Sequence, residues 1–201
     1  MLKRTITVLG LAFLMSACGF HLRGTGTMQM ALSELNFSAR DALSPLAKQV
    51  KTGLINNKVD VLSSADYTLY LGAEESKQRT ASFTAGTRSA EYTITSSAAY
   101  ELRSGNLPAL LKNRLEVQRT YAYNQDNVTG SGQEAELLRE EMRRELVTQL
   151  MMRLQAITPA QLNDLKEQAQ QRQDAETQAR EEAIRVQQQF DEPQQSPISL
   201  P

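Results

Sequence analysis

Three long runs of alternating apolar and polar residues limit the fold of this 201-residue chain more than any other feature. They cover residues 67–79, 92–102 and 115–123. A period of two residues predicts half-buried strands. Turn-forming residues at 85–87 and 104–106 separate the runs, so the three strands should form a meander of antiparallel hairpins.

A short strand and a helix are predicted before these runs. Residues 35–37 alternate as a half-buried strand does. Ser44 followed by Pro45 is typical of a helix start, because serine caps the free N–H groups and proline suits the first helical position. Apolar residues recur every fourth position from 46 to 54, and the asparagines at 56–57 predict the end of the helix.

The strongest helical pattern runs from Gln133 to about Ile157, after a polar loop at 124–132. Its apolar residues lie three or four positions apart and form one stripe: Leu138, Met142, Leu146, Leu150, Leu154 and Ile157.

The element order predicts an α+β fold, a two-layer sandwich with two helices packed on one face of a four-stranded, mostly antiparallel sheet. The position of the first strand in the sheet stays open. Because residues 74–80 are polar, the hairpins should project beyond the helices.

The composition changes after Thr158-Pro159. Residues 160–189 are rich in Gln, Glu, Ala and Arg and contain few apolar residues. This pattern predicts a solvated, partly formed helix, followed by a disordered tail from Asp191. We therefore expect a folded body at 31–158 and a polar extension at 159–201.

The amino-terminus has the pattern of an export signal. Basic residues at 3–4 precede an apolar run at 6–15 that is too short to span a bilayer. Leu14-Met15-Ser16-Ala17-Cys18 resembles a bacterial lipobox. We expect residues 1–17 to be removed and Cys18 to carry S-diacylglycerol and N-acyl groups, since several acyl chains make membrane attachment stable.

Two features following the signal bear on the destination of the chain. Residues 18–30 contain three glycines and predict a flexible tether. Gly19 is not the aspartate that retains lipoproteins at the inner membrane, so the outer membrane is the expected address. The alternative is an ordinary secreted protein whose cleavage site lies beside a free thiol.

The residue inventory argues against several classes of function. His21 is the sole histidine and Cys18 the sole cysteine, so a Ser-His-Asp triad within the body and a zinc site of His and Cys are not expected. Lys and Arg total 22 against 23 Asp and Glu, which does not favour nucleic acid as a partner. We expect neither an enzyme nor a bound cofactor or metal.

A small basic set near the first hairpin is the candidate binding site. Lys77 and Arg79 lie on one strand, and Arg88 lies just beyond the turn on its partner. Cations on paired strands would suit a polyanion or a phosphorylated lipid headgroup, and Phe83 adds an apolar anchor. The alternative is that these charges only keep polar strand tips soluble.

The chain resembles one family, the lipopolysaccharide (LPS)-assembly lipoproteins called LptE or RlpB. The resemblance rests on Cys18-Gly19-Phe20-His21-Leu22-Arg23-Gly24 directly after the lipobox, on the stretches 80–83 and 90–92 of the central hairpin, and on the helix ending at Ile157. It covers roughly residues 1 to 158. It implies two helices on a four-stranded sheet.

The resemblance also implies a function. Members are plugs held within the barrel of the outer-membrane protein LptD, needed for barrel assembly and for inserting LPS into the outer leaflet, and they bind LPS directly. Basic residues near the central hairpin belong to the family pattern. Here Thr84 stands at the turn where an arginine is expected, which leaves Arg79 and Arg88 as the nearest candidates.

Two other classes of function are compatible with an exported lipoprotein. A stand-alone, periplasm-facing lipid-binding lipoprotein would need an apolar cavity between sheet and helices. A lipid-anchored hydrolase would need a carboxylate mechanism, because the body lacks histidine.

Overall fold

The computed structural model describes residues 31–83, 89–124 and 127–191. In chain order the elements are β1 (Glu34–Ala39), α1 (Pro45–Asn56), β2 (Asp60–Val61), β3 (Tyr67–Phe83), β4 (Ser89–Ser104), β5 (Leu111–Asn124), α2 (Val128–Gln155) and α3 (Pro159–Asp191). The signal, the tether, the turn at 85–87 and the tail after Asp191 lie outside the described residues.

The sheet has five strands in the order β2-β1-β3-β4-β5. The β3-β4 and β4-β5 pairs are antiparallel, as the alternating runs predict. β1 lies parallel to β3 on one side and to β2 on the other, which answers the open question about its position. The predicted count of four strands was wrong by one, because β2 has only two residues and too short a pattern to recognise.

Helix α1 is confirmed from its first residue to its last. The Ser44 Oγ accepts a hydrogen bond from the Ala47 N–H at 3.2 Å, and Pro45 occupies the first helical position. Leu46, Val50 and Leu54 are almost fully buried. α1 packs on α2 at Gly53, where an added Cβ would lie 3.1 Å from the Val147 side chain.

Helix α2 begins earlier than the predicted Gln133. The Asn127 Oδ1 accepts a hydrogen bond from the Gly130 N–H at 3.0 Å, and this cap starts the helix at Val128. The predicted loop was wrong here because two glycines and several polar residues conceal a helical turn. The predicted stripe is confirmed at its centre, where four side chains are fully buried: Met142, Leu146, Leu150 and Leu154.

Helix α3 is continuous, not partly formed. Thr158 and Gln161 form a reciprocal capping box, in which each side chain accepts from the other residue's N–H, at 3.2 and 3.0 Å. Leu162 and Ala169 are buried, and the Arg172 Nη2 donates to the Ala109 carbonyl at 3.1 Å. The first half of α3 therefore packs on the body, whereas every side chain described from 174 to 188 is exposed.

The distal half of β3 lies outside the apolar core. On β3, Leu69 and Leu71 are buried, but all residues from 75 to 82 are exposed. The opposite end of the sheet holds the start of β1 and the β4-β5 turn, where Gly105 has φ 51°. Residues 75–82 of β3 are outside the core, as predicted, but the predicted projection of the hairpin beyond the helices was wrong. The Arg139 Nη2 of α2 donates to the Gln78 Oε1 of β3 at 3.4 Å, and the Ser131 Oγ in the first turn of α2 accepts from the N–H of Asn124, the last residue of β5.

Candidate functional site

The two faces of the β3-β4-β5 meander differ in chemistry. α1 and α2 cover one face, whose buried residues include Ile94, Tyr100 and Leu115. Since side chains alternate along a strand, the residues between them point to the opposite face. That open face is rich in Thr, Ser, Arg, Lys, Glu and Gln.

Two cross-strand rows on the open face contain the predicted cations. Lys77 pairs with Thr95, which pairs with Gln118, and the next row joins Arg79, Thr93 and Thr120. In the second row the Thr93 and Thr120 hydroxyls lie 3.2 Å apart. A shallow concavity of about 600 Å³ follows these rows, lined by Lys77, Gln78, Arg79, Thr95 and Gln118.

Two carboxylates on the open face are paired with arginines. The Arg114 Nη2 lies 2.6 Å from the Glu75 Oε2, and the Arg103 Nη2 lies 2.7 Å from the Glu101 Oε2. The hydrogen bond from Arg114 and its charge lower the pKa of Glu75, with a smaller lowering from Lys77. The hydrogen bond from Arg103 lowers the pKa of Glu101 against the effect of burial. Both carboxylates are therefore ionised at neutral pH.

Lys77 and Arg79 keep their charges available. Neither forms an ion pair with any described residue, and both are exposed. Two cations about 7 Å apart along a strand, flanked by hydroxyl and amide groups, can bind phosphate oxygens through charge-assisted hydrogen bonds. The structure thus brings together two members of the predicted basic set.

The remaining predicted site residues are located only in part. Phe83 ends β3 opposite Ala90 in the register, while its side chain is outside what the structure describes. Arg88 and Cys18 also lie outside the described residues.

Two other clusters could not be predicted from the sequence. An ion pair joins α2 to β3, where the Arg143 Nε lies 3.0 Å from the Glu74 Oε2. Near the distal end of the sheet, Tyr92 stacks on Tyr121 with ring centres 6.0 Å apart and meets Tyr123 edge-on at 5.4 Å. Both clusters join residues distant in sequence, and no short-range pattern reports such pairs.

The described ranges lack a membrane-spanning helix and a metal-binding cluster. There, no helix has the length and apolar character needed to cross a membrane. Within the same ranges, no three side chains of His, Cys, Asp or Glu are grouped as a metal ion requires.

Comparison with solved structures places the fold among bacterial lipoproteins. Rare lipoprotein B from Shewanella oneidensis superposes with a TM-score of 0.55 at 22% identity, covering 60% of this chain and 92% of that one. A minor lipoprotein from Acinetobacter baumannii gives a TM-score of 0.53 at 16% identity, covering 62% and 92%. At these identities the likeness concerns the fold alone.

Sequence comparison identifies the family. The LptE family, described as lipopolysaccharide-assembly, matches residues 30–154. The LPS-assembly lipoprotein LptE of Yersinia pestis (strain Pestoides F) is 29% identical over 171 residues, covering 82% of each chain, and that of Yersinia pseudotuberculosis serotype O:1b gives the same values. Since the family match spans more than half of the 201 residues, this chain belongs to the LptE family of lipopolysaccharide-assembly lipoproteins.

Proposed function

We propose that this protein is a non-enzymatic plug in the barrel of LptD, needed for barrel assembly and for inserting LPS into the outer leaflet. Family membership supports the process. The observation that supports the plug is the polar face of the meander that no helix covers, together with the exposed distal half of β3. A polar sheet face suits the polar interior of an outer-membrane barrel.

We further propose that the chain is anchored on the periplasmic side of the outer membrane through lipids on Cys18. Residues 18–30 form the tether, 31–158 the body and 159–201 the extension. β1 runs parallel to β3, so the tether joins the body at the end of the sheet opposite the β3-β4 turn. The anchor can therefore stay at the inner leaflet while the hairpin points into the barrel.

The proposed LPS contacts are Lys77, Arg79, Phe83 and Arg88. The support comes from the unpaired cations on the open face and the hydroxyl rows beside them. LPS carries phosphate groups, and such cations bind phosphate as point charges or as planar forks. Phe83 and Arg88 extend this set toward the turn by their positions in the sequence.

Co-purification tests the plug. The lipidated, tagged chain is extracted from outer membranes in mild detergent, and the eluate is probed for LptD. We expect the barrel to be retained in comparable molar amount. Recovery of the lipoprotein alone would overturn the proposal.

A charge-neutral variant tests LPS binding. Lys77→Gln, Arg79→Gln and Arg88→Gln together should weaken LPS binding without altering the thermal unfolding midpoint. The matched control removes three exposed cations elsewhere, with Arg40→Gln, Lys48→Gln and Lys51→Gln, and should bind LPS normally. Equal affinity of the two variants would mean that the hairpin cations only solubilise the strand tips.

Packing between the layers disfavours the stand-alone lipid carrier. Such a protein needs an apolar space between sheet and helices, and here that interface is filled. Leu69 and Ile94 of the sheet and Leu146 and Leu150 of α2 are all 0% exposed. Titration with LPS and with diacyl phospholipid separates the two functions, since a carrier would bind both.

A further inference from the structure

The outer edge of β3 changes partway along the strand. Near its start, β3 is covered by β1, and the last contact is the hydrogen bond from the Arg40 N–H to the Leu71 carbonyl at 2.8 Å. Beyond this point no described strand lies on that side of β3. Irregularities in register between Leu71 and Glu74 and between Thr80 and Ser82 enclose a regular seven-residue stretch, Glu74–Thr80. That stretch is about 23 Å long.

The hydrogen bonds of β5, at the opposite edge of the sheet, show which residues of β3 point their backbone N–H and C=O groups outward. Gln118 points its carbonyl away from the sheet, toward the Arg119 Nη1 at 2.9 Å. In an antiparallel sheet, a residue whose backbone N–H and C=O groups point away from its neighbour is paired with a residue whose groups also point away. The backbone groups of Thr95 therefore point away from Gln118 and toward Lys77, and those of Lys77 point toward Thr95. Ser76 and Gln78 then direct their backbone N–H and C=O groups outward.

The β3 and β5 edges of the meander differ in whether side chains bond their outward backbone groups. On β5, side chains occupy several outward groups: Asn113 and Arg153 bond the Arg114 N–H and C=O at 2.7 and 3.0 Å, and the Ser131 Oγ accepts from the Asn124 N–H at 3.0 Å. No such bond to the outward backbone groups of residues 76–80 exists within the described structure. Side chains therefore cap part of the β5 edge, whereas none caps residues 76–80 of β3 within the described structure.

We infer that the open edge, Glu74–Thr80, receives an extended, carboxylate-bearing segment of the barrel partner as an added strand. Strand addition supplies main-chain hydrogen bonds to such an edge. Glu74 and Glu75 are already paired with arginines, whereas Lys77 and Arg79 are not, so the net charge beside the edge is positive. That charge favours an acidic strand and opposes pairing with a second copy of the same edge. This inference rests on the proposed plug function.

Photo-crosslinking locates the added strand. A benzophenone amino acid replaces Ser76 at the open edge or, as the matched control, Ala122, an exposed residue on β5. After irradiation of intact outer membranes, a crosslink to LptD is expected from position 76 and at a much lower yield from position 122. Equal or reversed yields would overturn the inference.

Proline substitution tests the hydrogen bonds themselves. Ser76→Pro removes an outward N–H without touching the β3-β4 ladder, as edge positions allow. It should reduce retention of the barrel about tenfold, the effect of losing one or two backbone hydrogen bonds, and leave LPS binding unchanged. Ala122→Pro on β5 should retain the barrel normally.

The outcomes separate the inference from the proposed function. If the native chain retains LptD and Ser76→Pro retains it equally well, the added strand is ruled out and the plug survives. If the native chain retains no barrel, the proposed function fails and the inference fails with it. Should Ser76→Pro not fold, the crosslinking yields decide.

Discussion

Arg143 of α2 and Glu74 of β3 form an ion pair at the edge of the apolar core. The Arg143 Nε lies 3.1 and 3.0 Å from the two carboxylate oxygens, and the side chains are only 16% and 17% exposed. Removing one partner leaves a desolvated charge, so Arg143→Met should lower the free energy of unfolding by about 3 kcal/mol. Urea denaturation measures this change.

A double variant identifies the cause of that loss. Arg143→Met with Glu74→Leu removes both charges and should recover most of the stability, because apolar replacement of a buried pair is often neutral. Arg144→Met is the matched control, since Arg144 is 60% exposed and pairs with an exposed Glu140; its cost should stay below about 0.5 kcal/mol. A double variant as unstable as Arg143→Met would mean that lost packing dominates.

The carboxylates of the open face should respond to pH in a residue-specific way. Arg114 holds the pKa of Glu75 below its ordinary value of 4.5. A lowered pKa means that the pair stabilises the fold above pH 4.5 and that this contribution is lost as pH falls through the lowered value. Carboxyl NMR titration of Arg114→Gln should show the pKa of Glu75 rising toward 4.5. Glu101 is the internal control, because Arg103 lowers its pKa; a common rise would point to a global change.

At the scale of elements, the α1 cap offers a direct test. Replacement of Ser44 by Ala removes the acceptor of the Ala47 N–H and should cost about 1 kcal/mol of unfolding free energy. Ser63→Ala, at an exposed loop residue, should cost almost nothing. Equal unfolding midpoints for the two variants would show that Pro45 alone sets the helix start.

Helices and strands in which apolar residues recur at a regular spacing could be predicted from the sequence. Elements whose bounds depend on contacts with other parts of the chain could not. α1 and the three long strands carry their own pattern of alternation and capping, so the sequence located them. The start of α2 depends on one hydrogen bond that the Asn127 Oδ1 accepts from the Gly130 N–H, and β2 depends on two residues lying beside β1. The start of α2 and the strand β2 both depend on contacts that do not appear as a repeat in the local sequence.

At the scale of the whole molecule, some features of the candidate site follow from a local sequence pattern and others depend on contacts between distant residues. Lys77 and Arg79 were found from the sequence because they alternate on one strand. Their lack of ion pairs was not predictable, since it depends in part on Arg114 of β5 pairing with the neighbouring Glu75 of β3. The open edge of β3 likewise follows from where β1 stops, which the sequence left undecided.

Only the first half of α3 packs on the folded body. Leu162 and Ala169 are buried against the body and Leu165 is partly buried, whereas described side chains from 174 onward are exposed. Deleting residues 159–201 should therefore lower the free energy of unfolding by about 3 kcal/mol, the scale of burying one to two leucines.

A shorter deletion is the matched control for that loss. Removing residues 176–201 keeps Leu162 and Ala169, and also the bond from Arg172 to the Ala109 carbonyl, so it should change the unfolding free energy by less than about 0.5 kcal/mol. Urea titrations of both variants and the full mature chain measure the difference. If the shorter deletion were as destabilising as the longer one, the outer half of α3 would have to stabilise the body. A neutral longer deletion would mean that the Leu162 contacts add nothing to the fold.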